Sequence, residues 1–414
     1  MAALQSERTE TILETFGKRA DLEVTVPSGP IRIAFAGAGS IARIHVAALK
    51  PEPSLAVPEA GPPAVIVAAC DTDQSQLAAF RAEHGVPATY RGLDELLQDA
   101  RPDLVLICTP PHAHHEQALA CIRAGISVLV EKPPVISLRE FDELSAAERT
   151  AAERTAAERI AGETATGPGP WFASVFQHRF GSSHRRLKKL AADGTLGRPL
   201  LAVCHTTWFR DQSYFDVPWR GRWETEGGGP TMGHGIHQMD MLLDVLGDWT
   251  EVRALARRQA RRTQTEDVSL AHVTFANGAV ASVINSVLSP REESYLRFDF
   301  EHATVEVTHL YGYSDVNWRL TPAPDEPGRH DALHAAWQQH GTAIPSGHRS
   351  QFAHVLSCLA AGTRPPVAPF ESRRTLSLVA AIYASAFTGH PVTPADLAPG
   401  SHFYDHMNGG KTPW

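Results

Sequence analysis

Ile31-Arg32-Ile33-Ala34-Phe35-Ala36-Gly37-Ala38-Gly39-Ser40-Ile41-Ala42 carries a short apolar strand straight into a glycine-rich turn and the opening of a helix. That context turns a G-x-G-x-x-A match into a dinucleotide-binding signature. Gly37 permits the tight turn, Gly39 lets the backbone approach a pyrophosphate, and Ala42 allows close helix–strand packing. Ser40 and Ile41 start the helix, whose free amides and positive dipole end favour phosphate.

Outward from this loop, strands and helices alternate. Helix Ile41 to Leu49 leads to a Pro-rich loop (51–63), strand Ala64 to Cys70, helix Asp73 to His84, strand Leu104 to Cys108, helix Ala113 to Ala124 and strand Ile126 to Val130. Nearly continuous apolar strands in this rhythm predict a parallel sheet covered on both faces. Asp71 ends the second strand, where a carboxylate accepts from ribose hydroxyls and repels a 2′-phosphate, so NAD is expected over NADP. The Pro-rich loop accounts for its lying further from Gly37 than the usual ~20 residues. Asp73 competes for that role but is also placed as a helix N-cap.

Glu131-Lys132-Pro133-Pro134 closes the last of these strands. Ligands of parallel sheets collect beyond the carboxyl ends of the strands, so Lys132 stands where a bound dinucleotide presents its reactive ring. It is the first catalytic candidate.

The 414 residues are enough for about two domains. Hydrophobic content of 43% with 20% charged residues is that of a globular chain, and a net charge of −8 disfavours nucleic acid and anionic membranes as partners. Five cysteines without a C-x-x-C pair suit a reducing cytoplasm, no secretion signal is evident, and no apolar run reaches the roughly 20 residues a membrane span needs. Ala-Ala-Glu-Arg occurs three times between Ala146 and Arg159, a five-residue period read as a solvated extension of a helix from Leu138 to Ile160. Beyond Trp171, β-branched alternating runs and the turn Asn277-Gly278 predict an open antiparallel sheet on which helices Ser350 to Ala361 and Ser372 to Thr388 pack. The expected organisation is an arm (1–30), a Rossmann NAD-binding domain (31–145), a helical insertion (146–170), an α+β substrate and oligomerisation domain (171–395) and a tail (396–414).

Thr109-Pro110-Pro111-His112-Ala113-His114 after one strand and Glu131-Lys132-Pro133-Pro134 after the next make the chain resemble the glucose-fructose oxidoreductase / inositol dehydrogenase / rhizopine-catabolism (Gfo/Idh/MocA) family. The block Trp219-Arg220-Gly221-Arg222-Trp223, then Gly227-Gly228-Gly229-Pro230, then Gly235-Ile236-His237-Gln238-Met239-Asp240 strengthens the resemblance, which covers about residues 30 to 395. It implies a Rossmann domain followed by an α+β domain with an open, mostly antiparallel sheet. The implied activity is hydride transfer between NAD and a carbon of a sugar, polyol or related cyclic alcohol, in a homodimer or homotetramer formed through the open sheet. Lys132 would bind the reacting oxygen and His237 would be the acid/base, while Thr109, Pro110, Pro111, His114 and Glu131 would line the nicotinamide half of the groove. Where the family usually has an Asp, four residues before that His, this chain has Gly233, with His234 beside it.

Substrate contacts are expected from His178, Arg179, Arg220, Arg222, His234 and Asp240. The histidines at 112, 114, 115, 234 and 237 invite a zinc reading, but neither carboxylate nor cysteine stands at ligand spacing, so no metal is expected. An NAD-recycling glycoside hydrolase or lyase, or a non-catalytic NAD- and sugar-binding regulator, are the alternatives to a dehydrogenase.

Overall fold

The computed structural model describes residues 29–50, 61–161, 168–338, 342–367 and 369–414. The expected arm up to residue 28, the Pro-rich loop over 51–60 and residues 162–167 of the expected helical insertion lie outside the described residues.

The first half alternates β1 (Ile31–Ala36), α1 (Ser40–Leu49), β2 (Ala64–Cys70), α2 (Gln74–His84), β3 (Ala88–Tyr90), α3 (Leu93–Ala100), β4 (Leu104–Ile107), α4 (His114–Arg123), β5 (Ser127–Val130), α5 (Leu138–Ile160) and β6 (Phe172–Ser174). All pair in parallel in the order β3-β2-β1-β4-β5-β6. β4 and β5 are buried on both faces, as their nearly continuous apolar runs require. Asp73 caps α2 by accepting from the amides of Ser75 and Gln76, and Gly85 ends that helix with φ +65°. At α5, Ser137 accepts from the Glu140 amide while the Glu140 carboxylate accepts from the Ile136 amide. The repeat does continue this helix to Ile160: Leu138, Phe141, Leu144, Glu148 and Ala151 are buried, and beyond Ala151 no residue of the helix is.

Two expectations are corrected. The strand after Trp171 opens no new sheet; Phe172 pairs with Val128, and the short buried strand Phe172–Ser174 completes the parallel sheet beside β5. The late helix His348–Ala360 packs on the Rossmann domain rather than the second sheet: its Phe352, Val355 and Leu356 share a core with Ile33, Phe35, Leu104 and Leu106, covering a face that the parallel sheet must bury.

The second half contains α6 (Ser182–Ala192), β7 (Pro199–Phe209), α7 (Trp223–Glu226), α8 (Pro230–Gly233), α9 (Ile236–Leu246), β8 (Trp249–Arg257), β9 (Val268–Phe275), β10 (Val280–Ser286), β11 (Leu288–Phe300), β12 (Ala303–His309), β13 (Trp318–Pro322), α10 (His330–Gln338), α11 (His348–Ala360) and α12 (Pro369–Thr388). Its seven strands run β13-β12-β11-β7-β10-β9-β8, antiparallel except for β7 beside β10. Asn277-Gly278 does join β9 to β10, with Gly278 at φ +87°. Helices α9 and α12 cover one face. The other face is bare and carries Leu201, Phe209, Leu255, Leu270 and Val280, each between 39% and 47% exposed.

Candidate functional site

A cleft of about 1170 Å³ opens over the carboxyl ends of β1, β2, β4 and β5 and is closed on its far side by the second domain. Gly37, Gly39, Ser40, Ile41 and Asp71 line one end. Gly37 holds φ +94°, and a Cβ there would stand 2.8 Å from the Cys108 backbone, so only glycine allows this turn. A Cβ on Gly39 would meet nothing within 4 Å, and no side chain caps the start of α1, so its first amides face open space. Asp71 accepts from the Ala38 amide at 2.8 Å and from Gln76 at 3.1 Å, which fixes its carboxylate against the glycine turn. These residues fit a dinucleotide: space above the turn, free helix amides and an acceptor at the ribose position.

The other end is tied together by buried His114. Its two ring nitrogens lie 2.8 Å from the carbonyls of Pro133 and Thr109, joining the loops after β4 and β5. Thr109, Pro110 and Pro111 line the cleft, with the Thr109 hydroxyl bonded to Gln117 at 2.7 Å. Glu131 is buried; burial pushes its carboxyl up, but the 2.7 Å hydrogen bond from His45 and the charges around it outweigh this and hold it down to about 2. The carboxylate also accepts from the Lys132 amide at 3.0 Å, fixing the backbone that presents Lys132. Among the described residues, His45, Glu131 and His348 are the one group of three whose ligand atoms gather within 4.8 Å; the short His45–Glu131 hydrogen bond already satisfies that pair.

Lys132 Nζ crosses the cleft and donates to the Gly233 carbonyl at 2.8 Å. Burial lowers its pKa, partly offset by Glu131 and Glu226. Glu226, at the end of α7, is the residue the sequence reading missed. It is buried, lines the cleft, and its Oε1 lies 3.6 Å from where a Cβ on Gly233 would stand. The space that a side chain at 233 would fill is therefore bordered by a carboxylate arriving from another helix. Glu226 accepts from the Gly221 amide at 2.6 Å and meets Arg220 at 3.4 Å; burial raises its pKa against those contacts. The only available signal was an acid beside a triple glycine in Trp223-Glu224-Thr225-Glu226-Gly227, without a period to mark which glutamate faces inward.

Trp208, Arg210, Tyr214, Trp219 and Arg220 form the outer wall. Arg220 stacks between Tyr214 and Trp219, 4.0 and 4.3 Å from their ring centres, and donates to the Tyr214 hydroxyl. His234 also lines the cleft, 3.5 Å from that hydroxyl. His237 lies one layer deeper, ring to ring with His178 at 5.1 Å and Tyr311 at 6.3 Å. Both His237 nitrogens are buried and have no hydrogen-bond partner among the described residues; burial, then the Lys132 charge, push its pKa well below the usual imidazole range. His178 is similarly lowered, first by burial, and its Nδ1 meets Ser346 at 3.2 Å.

Four expected substrate contacts do not line the cleft: His178 sits with His237 in the deeper layer, and three lie elsewhere. Arg179 grips both oxygens of Asp240 at 2.5 Å and Asp244 at 2.8 Å in the interior, so Arg179 and Asp240 answer each other rather than a ligand. Arg222 is exposed outside the main cleft, and its neighbour Trp223 packs into an aromatic group with Tyr383, Phe387 and Trp414.

The model of the oxidoreductase family with an NAD-binding Rossmann fold (GFO_IDH_MocA) matches residues 31–158, and that of the GFO/IDH/MocA C-terminal domain matches residues 184–308. The D-glucoside 3-dehydrogenase of Escherichia coli (strain K12) is 26% identical over 325 residues, covering 72% of this chain and 83% of that protein. The myo-inositol 2-dehydrogenase of Thermotoga maritima is 25% identical over 261 residues, 62% and 68% of the two chains. The crystal structure of the WlbA dehydrogenase from Bordetella pertussis in complex with NADH and UDP-GlcNAcA superposes with a TM-score of 0.71 at 26% identity, over 88% of this chain and 98% of that one. A Rossmann cleft, its lysine-bearing strand end and a matching second domain all agree: the chain belongs to the GFO/IDH/MocA oxidoreductase family and is an NAD-dependent enzyme.

Proposed function

We propose that the protein oxidises or reduces a CH–OH carbon of a sugar, polyol or related cyclic substrate, with Lys132 and His237 as the working pair. The observation that carries this reading is Lys132 Nζ, held between the dinucleotide end of the cleft and the second-domain wall, 2.8 Å from the Gly233 carbonyl. NAD, when bound, supplies the hydride acceptor or donor. The residues of this chain do the rest.

Gly39, Ser40 and the α1 amides take the phosphates, Asp71 the adenosine ribose, and Thr109, Pro110, Pro111 and His114 shape the nicotinamide end. Lys132 exchanges its carbonyl partner for the reacting oxygen and stabilises charge that develops there. His237, neutral and without a partner at either nitrogen, takes the hydroxyl proton on oxidation and returns it on reduction. His234, Arg220 and the Trp219 face bind the remaining hydroxyls. The relatives named above as acting on glucosides and inositols support the substrate class.

The bare sheet face supports assembly as a homodimer or homotetramer, since Leu201, Phe209, Leu255, Leu270 and Val280 form an apolar patch on it. Five unpaired cysteines, four of them buried, support a cytoplasmic setting, and no described helix is long and apolar enough to cross a membrane. To test the function, any nucleotide released on denaturation is identified and absorbance at 340 nm is followed with NAD and a panel of sugars and polyols. Net NADH formation with a panel member is expected; bound NAD that never changes redox state with any of them would overturn the reading.

A further inference from the structure

Beside the cleft lies a second recess of about 530 Å³, lined by Phe215, Gly221, Thr263, Gln264 and five arginines: Arg220, Arg222, Arg258, Arg261 and Arg262. Among the described residues, no acidic side chain lines it. Arg220 belongs to both cavities. Among the described residues, Glu226 at 3.4 Å from Arg220 is the one carboxylate within ion-pair reach of the five. Asp211 feels the charge of Arg261 but stands outside the recess.

The recess is built rather than incidental. Its two segments are fastened by Gly221, whose carbonyl accepts from the Gln264 amide and the Thr263 hydroxyl, both at 2.7 Å. Gly221 sits at φ +67°, and a Cβ there would fall 2.2 Å from the Thr263 hydroxyl, so no larger residue allows the approach. Asp267 accepts from the amides of Gln259, Ala260 and Arg261 at 2.7 to 2.8 Å, and Gln212 bonds both backbone groups of Arg262. Arg258 donates to the Thr263 carbonyl at 2.8 Å. Arg261, whose guanidinium lies 5.1 Å from the Phe209 ring, has a buried Nε without a hydrogen-bond partner among the described residues. Like charges gathered on a fixed frame, with a buried donor left open, await an anion.

We infer that this recess binds a phosphate or carboxylate group of the substrate, remote from the carbon that reacts at Lys132, with Arg220 as the bridge between the two cavities. This rests on the dehydrogenase reading and narrows its substrate to an anionic sugar derivative. Planar guanidinium forks suit either oxyanion, and the test separates the two.

With NAD saturating, so that the dinucleotide groove is filled, binding of pyrophosphate, D-glucose, D-glucose 6-phosphate and D-glucuronate is followed by tryptophan fluorescence. Trp414 is a suitable reporter, since it lies 5.9 Å from Arg258. The expected result is that pyrophosphate and at least one anionic sugar bind tenfold or more tightly than D-glucose, and that the Arg222→Ala/Arg262→Ala double variant loses about a hundredfold of that affinity. NAD affinity should stay within about twofold, and Arg123→Ala, an exposed change at the end of α4, should leave every affinity alone. Preference for the phosphate ester or for the carboxylate names the group. Equal binding of D-glucose and its anionic derivatives, or a double variant that binds pyrophosphate as the wild type does, overturns the inference. So does a double variant that changes only the mass measured by light scattering, which would make the recess a subunit contact. None of these failures would touch NAD-dependent turnover of neutral sugars, which tests the underlying reading separately.

Discussion

Glu226→Gln removes one negative charge near Lys132 while leaving an amide oxygen able to accept from Gly221. Both side chains reach Gly233, one through a 2.8 Å hydrogen bond to its carbonyl and the other to within 3.6 Å of its Cβ position. With ordinary backbone dimensions their charged atoms are therefore no more than about 10 Å apart. At an effective dielectric of about 20, opposite charges at that distance attract by about 1.7 kcal/mol. Neutralising Glu226 should release that much stabilisation of the ammonium form, which corresponds to ten- to twentyfold more neutral amine at a given pH. Competitive acetylation at alkaline pH, with Lys132 read by peptide mass spectrometry, measures this without knowledge of the substrate. The variant should label Lys132 at least tenfold faster than the wild type, with Lys50 and Lys411 unchanged as internal standards. Equal or slower labelling of Lys132 would refute the electrostatic link between the two residues.

Asp71→Ser removes the carboxylate that holds the Ala38 amide at 2.8 Å; NAD affinity should fall by roughly tenfold and the ratio of NADP to NAD affinity should rise, both measurable by titration. Acidification should unfold the protein early, because burial holds His309 and His348 to about 4 while the unfolded chain titrates near 6.5. The folded pKa values are depressed and the favoured form is neutral, so stability is full above about pH 6.5 and falls as pH drops toward 4. By pH 5 the unfolded state gains about 2 kcal/mol per histidine, about 4 kcal/mol together, read as a lower urea midpoint. Arg179→Met leaves Asp240 buried without its cation, while Asp244 keeps Lys188 and His184, and should cost about 3–5 kcal/mol in urea unfolding; a loss below about 1 kcal/mol would show that the Arg179–Asp240 pair is dispensable.

Much of the fold was legible because strand ends and helix starts carry their own chemistry. The loop Gly37–Ala42, the cap at Asp73 and the strand end at Lys132 are local signals, and each stands where local rules put it. Two strands were less so. β3, at a sheet edge, is three half-buried residues, too short for alternation to register, and β11, inside the second sheet, hides behind Pro290, Arg291 and two glutamates before its buried alternation begins at Ser294. Partnerships across long separations left no trace in sequence. Arg179 is 61 residues from Asp240, and their mutual burial turned two expected substrate contacts into a structural ion pair. Glu226 meets Gly233 over a shorter separation, across the triple glycine that joins α7 to α8, where no helical or strand period applies. α11 is apolar enough for either sheet, and only the three-dimensional path of the chain delivers it to the Rossmann face.

The central claim is that Lys132 acts on the reacting oxygen and not on cofactor binding. Lys132→Met keeps the stem and deletes the charge, so NADH affinity by fluorescence titration and turnover at 340 nm can be compared in one preparation. The account predicts affinity within about threefold of wild type and turnover reduced a hundredfold or more. Turnover that survives the substitution, or a loss fully explained by failure to bind NADH, would contradict it.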